Sequence, residues 1–279
     1  MTINTSLPSS NPALRKAIYD GCLFLVDSTT TSIALVEAVK AHVQAAFGWN
    51  FRNECLGLAN DEFMARFTET RIAVREDKTI RRLIKTLMTE VGFPANENAI
   101  DVPRLRAVLP GGHKIEAAAP VYYAHRDTWY ANPASQINWW LPLHEVDSEN
   151  SFAFDEEVFN IELPNDSAAF DYNEWKAKVG FQNPSPPKEA VYPKTTYFES
   201  DKATHVICKE AQILLFSACQ LHKTTENETS LARFSLDIRS VNLSDFKAGD
   251  GGPNDDNLSK GSTLTDYHHP KDECDTIPS

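Results

Sequence analysis

The hydrophobic period of this chain changes near residue 100, and no other feature limits the fold as much. Up to that point apolar residues recur with helical spacing. In "TSIALVEAVKAHVQAAFG", Ile33, Val36, Val39, Val43 and Ala46 fall on one stripe, and Gly48 comes next as a stop. "NPALRKAIYDGCLFLV" opens with Asn11 as a candidate N-cap and Pro12 at the first helical position. "DEFMARFTETRIAVREDKTIRRLIKTLMTEVG" carries a further helical pattern, broken in two and ending at Gly92-Phe93-Pro94. Beyond residue 100 come "RLRAVLP", "APVYYAHRDTWY", "QINWWLPL", "HVICKEAQILLFS" and "ARFSLDIRSVNL". These are short, rich in β-branched and aromatic residues, and separated by Pro, Gly and Asn, as strands are. Helices first and about eight short strands after them predict an α+β chain. The expected architecture is an antiparallel double sheet, a double-stranded β-helix of the jelly-roll or cupin-like kind, with the N-terminal helices packed on one outer face.

The 279 residues read as one domain, since a chain of this size can bury a large core. Its parts would be a mainly helical 1–100, a jelly-roll core over 101–244 with an insertion at 148–200, and a polar loop or tail over 245–279. The insertion is acidic and then Pro-rich ("FQNPSPPKEAVYPKTTYF"), which predicts little regular structure and a lid-like role. A net charge of −12 argues against nucleic acid and against anionic membranes as partners. Five cysteines, odd in number and without a C-x-x-C, read as reduced thiols. The start "MTINTSLPSSNPALRK" lacks a basic segment leading into an apolar one, and no apolar run approaches about 18 residues, so a cytoplasmic location is expected.

The stretch "YYAHRDTWYANP", residues 122–133, raises the question of chemistry. On a strand, His125 and Asp127 would point the same way, about 7 Å apart. A metal held there needs a third ligand from elsewhere. "AQILLFSACQLHKTTENETSLARFSLDIRS" offers His222, reached through a short loop from the buried "ILLF". Two His and one carboxylate form a facial set that leaves three positions open on Fe(II), which suits a chelating cosubstrate and oxygen. His205, in "ATHVICKE", is the rival third ligand.

The residues downstream of His222 carry a family resemblance. Thr224 lies two residues on, Asn227 five, Ser230 eight and Arg233 eleven. This order resembles the phytanoyl-CoA dioxygenase-like family of Fe(II)/2-oxoglutarate oxygenases, whose distal His is followed by a hydroxyl residue, an Asn, a second hydroxyl residue and an Arg at these offsets. The family's H-x-D-x-x-Y is matched by His125, Asp127 and Tyr130, and its Trp on the next strand by Trp140. The resemblance covers roughly residues 105–242. It implies His125, Asp127 and His222 as iron ligands and Arg233 as the clamp on the distal carboxylate of 2-oxoglutarate, which a planar guanidinium meets bidentately. Thr224 would donate to the same carboxylate, and Trp140 would pack against the cosubstrate. By strand alternation Gln136 and Asn138 would stand beside Trp140 and hydrogen-bond cosubstrate or substrate. Arg239, on the face of Arg233, is the second choice for the clamp, or a substrate contact. With Fe(II), 2-oxoglutarate and O2, the implied reaction is oxidation of an unactivated C–H bond of a small molecule, by hydroxylation, cyclisation or desaturation. A natural-product intermediate is the expected substrate. Related halogenases replace the carboxylate ligand with a small residue, so Asp127 argues against halogenation.

The remaining candidates have plainer readings. Trp129 or Tyr130 would face the substrate, in a region whose aromatics otherwise form core. Arg104 and Arg106 enter the barrel on a strand and would meet a polar or anionic substrate. Arg71, Arg75, Arg81 and Arg82 read as a solvated helix face, His42 as structural, His144 as a turn residue or part of the mouth, and His268 and His269 as solvated. Two alternatives stay open: a cupin-like metal- or ligand-binding protein, and a metalloenzyme that does not use 2-oxoglutarate.

Overall fold

The computed structural model describes residues 3–180 and 190–268. The first part is a helical layer interrupted by one short strand. α1 spans Asn11–Tyr19, β1 Phe24–Val26, α2 Thr30–Phe47, α3 Phe51–Glu54, α4 Asn60–Glu76 and α5 Lys78–Glu90. β2 is Asn98–Ile100 and β3 Arg104–Val108. Then come β4, Gln136–Pro142; β5, Phe152–Phe154; α6, Tyr172–Lys178; β6, Thr204–His205; β7, Ile213–Ser217; β8, His222–Thr224; β9, Arg233–Asn242; and α7, Leu243–Ala248.

Local chemistry explains the helix limits. Ser10, not Asn11, is the residue before α1, and Pro12 sits within its first turn. Gly21, at φ +97°, turns the chain out of α1, so "FLV" becomes strand rather than more helix. Thr29 caps α2 in a reciprocal pair with Ser32, and Gly48 ends it at φ +90°. The α2 stripe is rotated from the expected one. Leu35, Val36, Val39, Val43 and Phe47 are buried, whereas Ile33 is 48% exposed. Asp77 divides the next pattern, closing α4 and capping α5 through the Thr79 and Ile80 amides.

All named strand pairs are antiparallel. The larger sheet runs β1-β7-β4-β9-β2, and β3 also pairs β9. β9 is long enough for both partners on one edge: β2 lies against Ser240–Asn242 and β3 against Arg233–Asp237. The smaller sheet runs β6-β5-β8. Alternation gives the larger sheet two characters. Ile137, Trp139, Leu141, Ile213, Leu215, Phe234, Leu236 and Ile238 join one apolar core with α1, α2, α4 and α5. Each such large side chain withdrawn from water contributes about 1.5–3 kcal/mol. The opposite face bears Gln136, Asn138, Trp140, Arg233, Ser235, Asp237 and Arg239. Phe152 and Phe154 of β5 close on it through a second cluster with Trp140, Leu214 and Phe216.

Three expectations need correction. The insertion is not irregular throughout: β5 is the middle strand of the smaller sheet, and α6 is capped by Asp171. The core of the Pro-rich stretch, residues 181–189, lies outside the described residues, as does His269. The described part of the segment after α7, residues 249–268, packs as a loop rather than fraying. Gly251 and Gly252 pack so closely that a Cβ on either would meet the Ala134 backbone at 2.6 Å or Cys219 Sγ at 2.9 Å. Leu264 and Tyr267 are buried, and the His268 main chain pairs with Ile100. Arg71 is not simply solvated either. It is half-buried over Phe67, and burial, then the neighbouring Arg106 and Arg104, lower its pKa to about 10. The four described cysteines are free, and no described helix is long and apolar enough to cross a membrane.

Candidate metal centre

The segment carrying His125 and Asp127 is not a strand. Glu116–Tyr122 and Asp127–Tyr130 are 3-10 turns, and only a single-residue bridge, His125 to His222, joins it to β8. The strand spacing therefore does not apply. The turn after His125 folds Asp127 back until its Oδ1 is 3.6 Å from His125 Nε2. Ala131, in the left-handed region at φ 60°, ends the turn.

His125, Asp127 and His222 come together, with one ligand atom from each within 4.8 Å of the others. The protonation of the two rings follows from their partners. His125 Nδ1 lies 2.8 Å from the Tyr123 carbonyl and His222 Nδ1 3.0 Å from the Gln220 carbonyl. A carbonyl only accepts, so each Nδ1 donates, and Nε2 is the ring nitrogen left to face a metal. Burial, then the charge of His125, lower the His222 pKa to about 4, which keeps the ring neutral and able to ligate. Burial opposes ionisation of Asp127, but Arg239, His125 and His222 outweigh it and hold the carboxyl well below the usual range. The set is thus two imidazoles and one carboxylate.

Gln136 and Asn138 do stand on the inner face of β4, but both amides are engaged by the protein. Asn138 Nδ2 donates to Asp127 Oδ2 at 2.7 Å, and Gln136 Nε2 to the same oxygen at 3.3 Å. Both amides thus hold the Asp127 carboxylate. Arg239 lies near two carboxylates. Its Nη2 lies 3.6 Å from Asp127 Oδ1 and its Nη1 3.9 Å from Asp101 Oδ2, so two carboxylates occupy it. Trp129 points into the interior. It is fully buried and its Nε1 donates to Asp256 Oδ1 at 2.9 Å. Tyr130 is the aromatic that reaches the site, its ring 5.3 Å from that of His125 and 5.4 Å from Phe170.

Arg233 differs from every other inner-face cation. It is 4% exposed and has no hydrogen bond or ion pair among the described residues. Its guanidinium stands 5.7 Å from the Trp140 ring centroid. Burial lowers its pKa to about 10, which still leaves it charged at neutral pH. A buried guanidinium without a counter-ion is an anion site. Ser235, two residues on along the same face, also has an unpartnered hydroxyl. Thr224 shares the face of His222 on β8, opposite Phe152. Arg106 donates to Asp237 at 2.8 Å with part of its side chain exposed, and Arg104 is buried against Asp101.

The other motif residues serve the frame. Asn227 ties the turn between β8 and β9 to β3 by donating to the Val108 and Leu231 carbonyls, and Ser230 is exposed. His205 sits on the outer face of the smaller sheet beside Ala153, away from the ligands. His144 is buried and accepts the Phe234 amide, so it lines no mouth. Sequence reasoning missed Asp101, Asp256 and Tyr267. No spacing marks them, because their partners come from distant segments.

No family model and no curated protein sequence matches the chain. Solved structures do. EvdO2 from Micromonospora carbonacea var. aurantiaca, complexed with 2-oxoglutarate, is 9% identical over 86% of this chain and 94% of that one, with a TM-score of 0.50. The chain shares the EvdO2 fold. ThoJ, a non-haem monooxygenase, is 13% identical over 82% of this chain and 76% of that one, at a TM-score of 0.48. HygX from Streptomyces hygroscopicus, with nickel and 2-oxoglutarate bound, is 8% identical over 82% and 86%, at 0.43.

Proposed function

We propose that this chain is a single double-stranded β-helix oxygenase domain that uses ferrous iron, 2-oxoglutarate and O2 to oxidise an unactivated C–H bond of a small molecule. One observation carries the reading. Two imidazoles and a carboxylate converge on the sheet face that also holds the unpaired guanidinium of Arg233. The donor set fits Fe(II), for which two His and one carboxylate leave positions open. When bound, iron with 2-oxoglutarate and O2 supplies an oxidant strong enough to take hydrogen from carbon, with succinate and carbon dioxide as co-products. The fold agrees, being shared with a protein solved with 2-oxoglutarate.

The chain's own residues divide the work. His125, Asp127 and His222 would hold the metal. Arg233 would take the distal carboxylate of the cosubstrate, with Trp140 beneath the guanidinium and Thr224 on the neighbouring strand. Tyr130, backed by Phe170 and Trp175, would bound the substrate side and exclude water. Arg106, partly exposed on the same sheet face, would meet a polar substituent. We place the substrate among natural-product intermediates and the enzyme in the cytoplasm.

The test is an anaerobic titration of the apoprotein with Fe(II) and then 2-oxoglutarate, tracking the visible band of a ferrous keto-acid chelate. Wild type should develop the band. Asp127→Ala should fail to, and Arg233→Ala should need far more 2-oxoglutarate. Metal binding without any response to 2-oxoglutarate would instead indicate a binding protein or another kind of metalloenzyme.

A further inference from the structure

Asp127 is held by a relay that begins in the C-terminal segment. The Tyr267 hydroxyl donates to Gln136 Oε1. Gln136 Nε2 then donates to Asn138 Oδ1 at 2.8 Å and to Asp127 Oδ2 at 3.3 Å, and Asn138 Nδ2 donates to the same Oδ2 at 2.7 Å. Tyr267 and Gln136 are fully buried, and Asn138 and Asp127 nearly so.

A carboxamide presents oxygen or nitrogen with nearly the same shape, so its partners must choose the orientation. A hydroxyl donor on Oε1 turns Gln136 Nε2 toward the carboxylate. That Nε2 in turn occupies Asn138 Oδ1, which turns Asn138 Nδ2 toward the carboxylate as well. Both donors therefore fall on Oδ2, and Oδ1 faces His125 Nε2. The same C-terminal segment grips the rest of the turn. Asp256 accepts from Trp129 Nε1 and pairs with Arg126 at 3.1 Å, and Thr263 Oγ1 donates to Asn132 Oδ1 at 2.9 Å. Asn132 itself donates to the Asp127 carbonyl at 2.7 Å.

We infer that Tyr267 is a positioning residue for the metal centre: through Gln136 and Asn138 it occupies Oδ2 of Asp127 and turns Oδ1, which Arg239 approaches no closer than 3.6 Å, toward His125 and the metal. The inference rests on reading Asp127 as a ligand. It makes the C-terminal segment part of the site, although Tyr267 touches none of the three ligands.

Metal affinity and coordination spectrum test this without turnover. Co(II) alone is titrated into wild type, Tyr267→Phe, Gln136→Leu, the double variant and Asp127→Ala, and the Co(II) absorption spectrum is recorded at saturation. Tyr267→Phe keeps the ring that packs the segment, and thermal unfolding of each metal-free variant checks that it folds. Outer partners of metal ligands commonly change affinity 10- to 100-fold, so Tyr267→Phe should weaken Co(II) by about tenfold and alter the spectrum. Because both side chains act through one relay, adding Tyr267→Phe to Gln136→Leu should cost no more than Gln136→Leu alone. Wild-type affinity and spectrum in Tyr267→Phe would overturn the inference even if its melting temperature fell, and so would additive losses. If Asp127→Ala bound Co(II) as wild type does, the metal reading itself would fall and the inference with it. If Asp127→Ala lost Co(II) while Tyr267→Phe kept it, only the inference would fall.

Discussion

The backbones of His125 and His222 hydrogen-bond each other in both directions, each N–H donating to the other's carbonyl at 3.0 Å. This bridge fixes two candidate ligands from distant parts of the chain, and their rings lie 4.4 Å apart between centroids. The third candidate ligand, Asp127, comes from the turn that begins immediately after the bridge.

A site built in advance should bind metal as a folded protein does, without a folding transition. At a free metal concentration about 100 times Kd, stability should rise by about 2.7 kcal/mol. Thermal unfolding with and without Ni(II) measures this. His222→Ala should unfold at the same temperature in both, and a retained shift would move the metal elsewhere.

Arg233 carries a buried charge with no ion pair or hydrogen bond among the described residues, eased only by the more distant charge of Asp237. Arg233→Met should therefore stabilise the metal-free protein, by about 1–3 kcal/mol, while removing the response to 2-oxoglutarate. Denaturant unfolding together with the anaerobic titration separates the two effects. A destabilised variant would mean that Arg233 has a structural role outweighing its burial.

His144 predicts a pH dependence. Its Nδ1 donates to the Glu145 carbonyl, its Nε2 accepts the Phe234 N–H, and burial lowers its pKa from 6.5 to about 3. Below 6.5 the unfolded chain takes up a proton that the folded chain refuses until about 3. Stability contributed by the neutral ring is full above 6.5 and declines as pH falls through that window, by at most about 1.4 kcal/mol per unit. His144→Gln keeps an acceptor and does not titrate. The unfolding free energy of the metal-free variant should fall less between pH 7 and pH 5 than that of wild type. Equal slopes would place the effect on another group.

Arg126, between the two ligands in sequence, faces away from them. It pairs with Asp256 at 3.1 Å and donates to the Val158 and Ile161 carbonyls at 2.6 and 2.9 Å. Arg126→Met would leave Asp256 buried and charged, costing about 3–5 kcal/mol. Adding Asp256→Asn should recover part of that loss in denaturant unfolding. No recovery would show that the carbonyl contacts dominate.

Much of the frame was legible in residue order. "QINWWLPL", "ILLF" and "ARFSLDIRSVNL" are strands because their alternating positions suit a core on one side and a polar face on the other. Gly48 and Asp77 mark helix limits because their backbone and capping chemistry is local. The insertion was less legible. Phe152–Phe154 becomes strand only because Thr204–His205 and His222–Thr224 supply partners from far along the chain. The grouping of His125, Asp127 and His222 was readable from residue types and their order, yet the strand geometry invoked for it was wrong. A 3-10 turn after a single-residue bridge brings the first two together.

By itself, the sequence determined which groups are available: two imidazoles, a carboxylate, and an arginine on a strand whose alternation aims it with Ser235, Asp237 and Arg239. Those properties are local, set by side-chain chemistry and by the two-residue period of a strand. Only the tertiary structure decided which cation stays free. Arg239 meets Asp127 and Asp101, Arg106 meets Asp237, and Arg233 meets neither a carboxylate nor a hydrogen-bond acceptor among the described residues. It also decided that Gln136 and Asn138 serve Asp127, with Tyr267 behind them. Ion pairs and buried hydrogen bonds act over a few ångströms, and which groups come that close depends on how distant segments are packed.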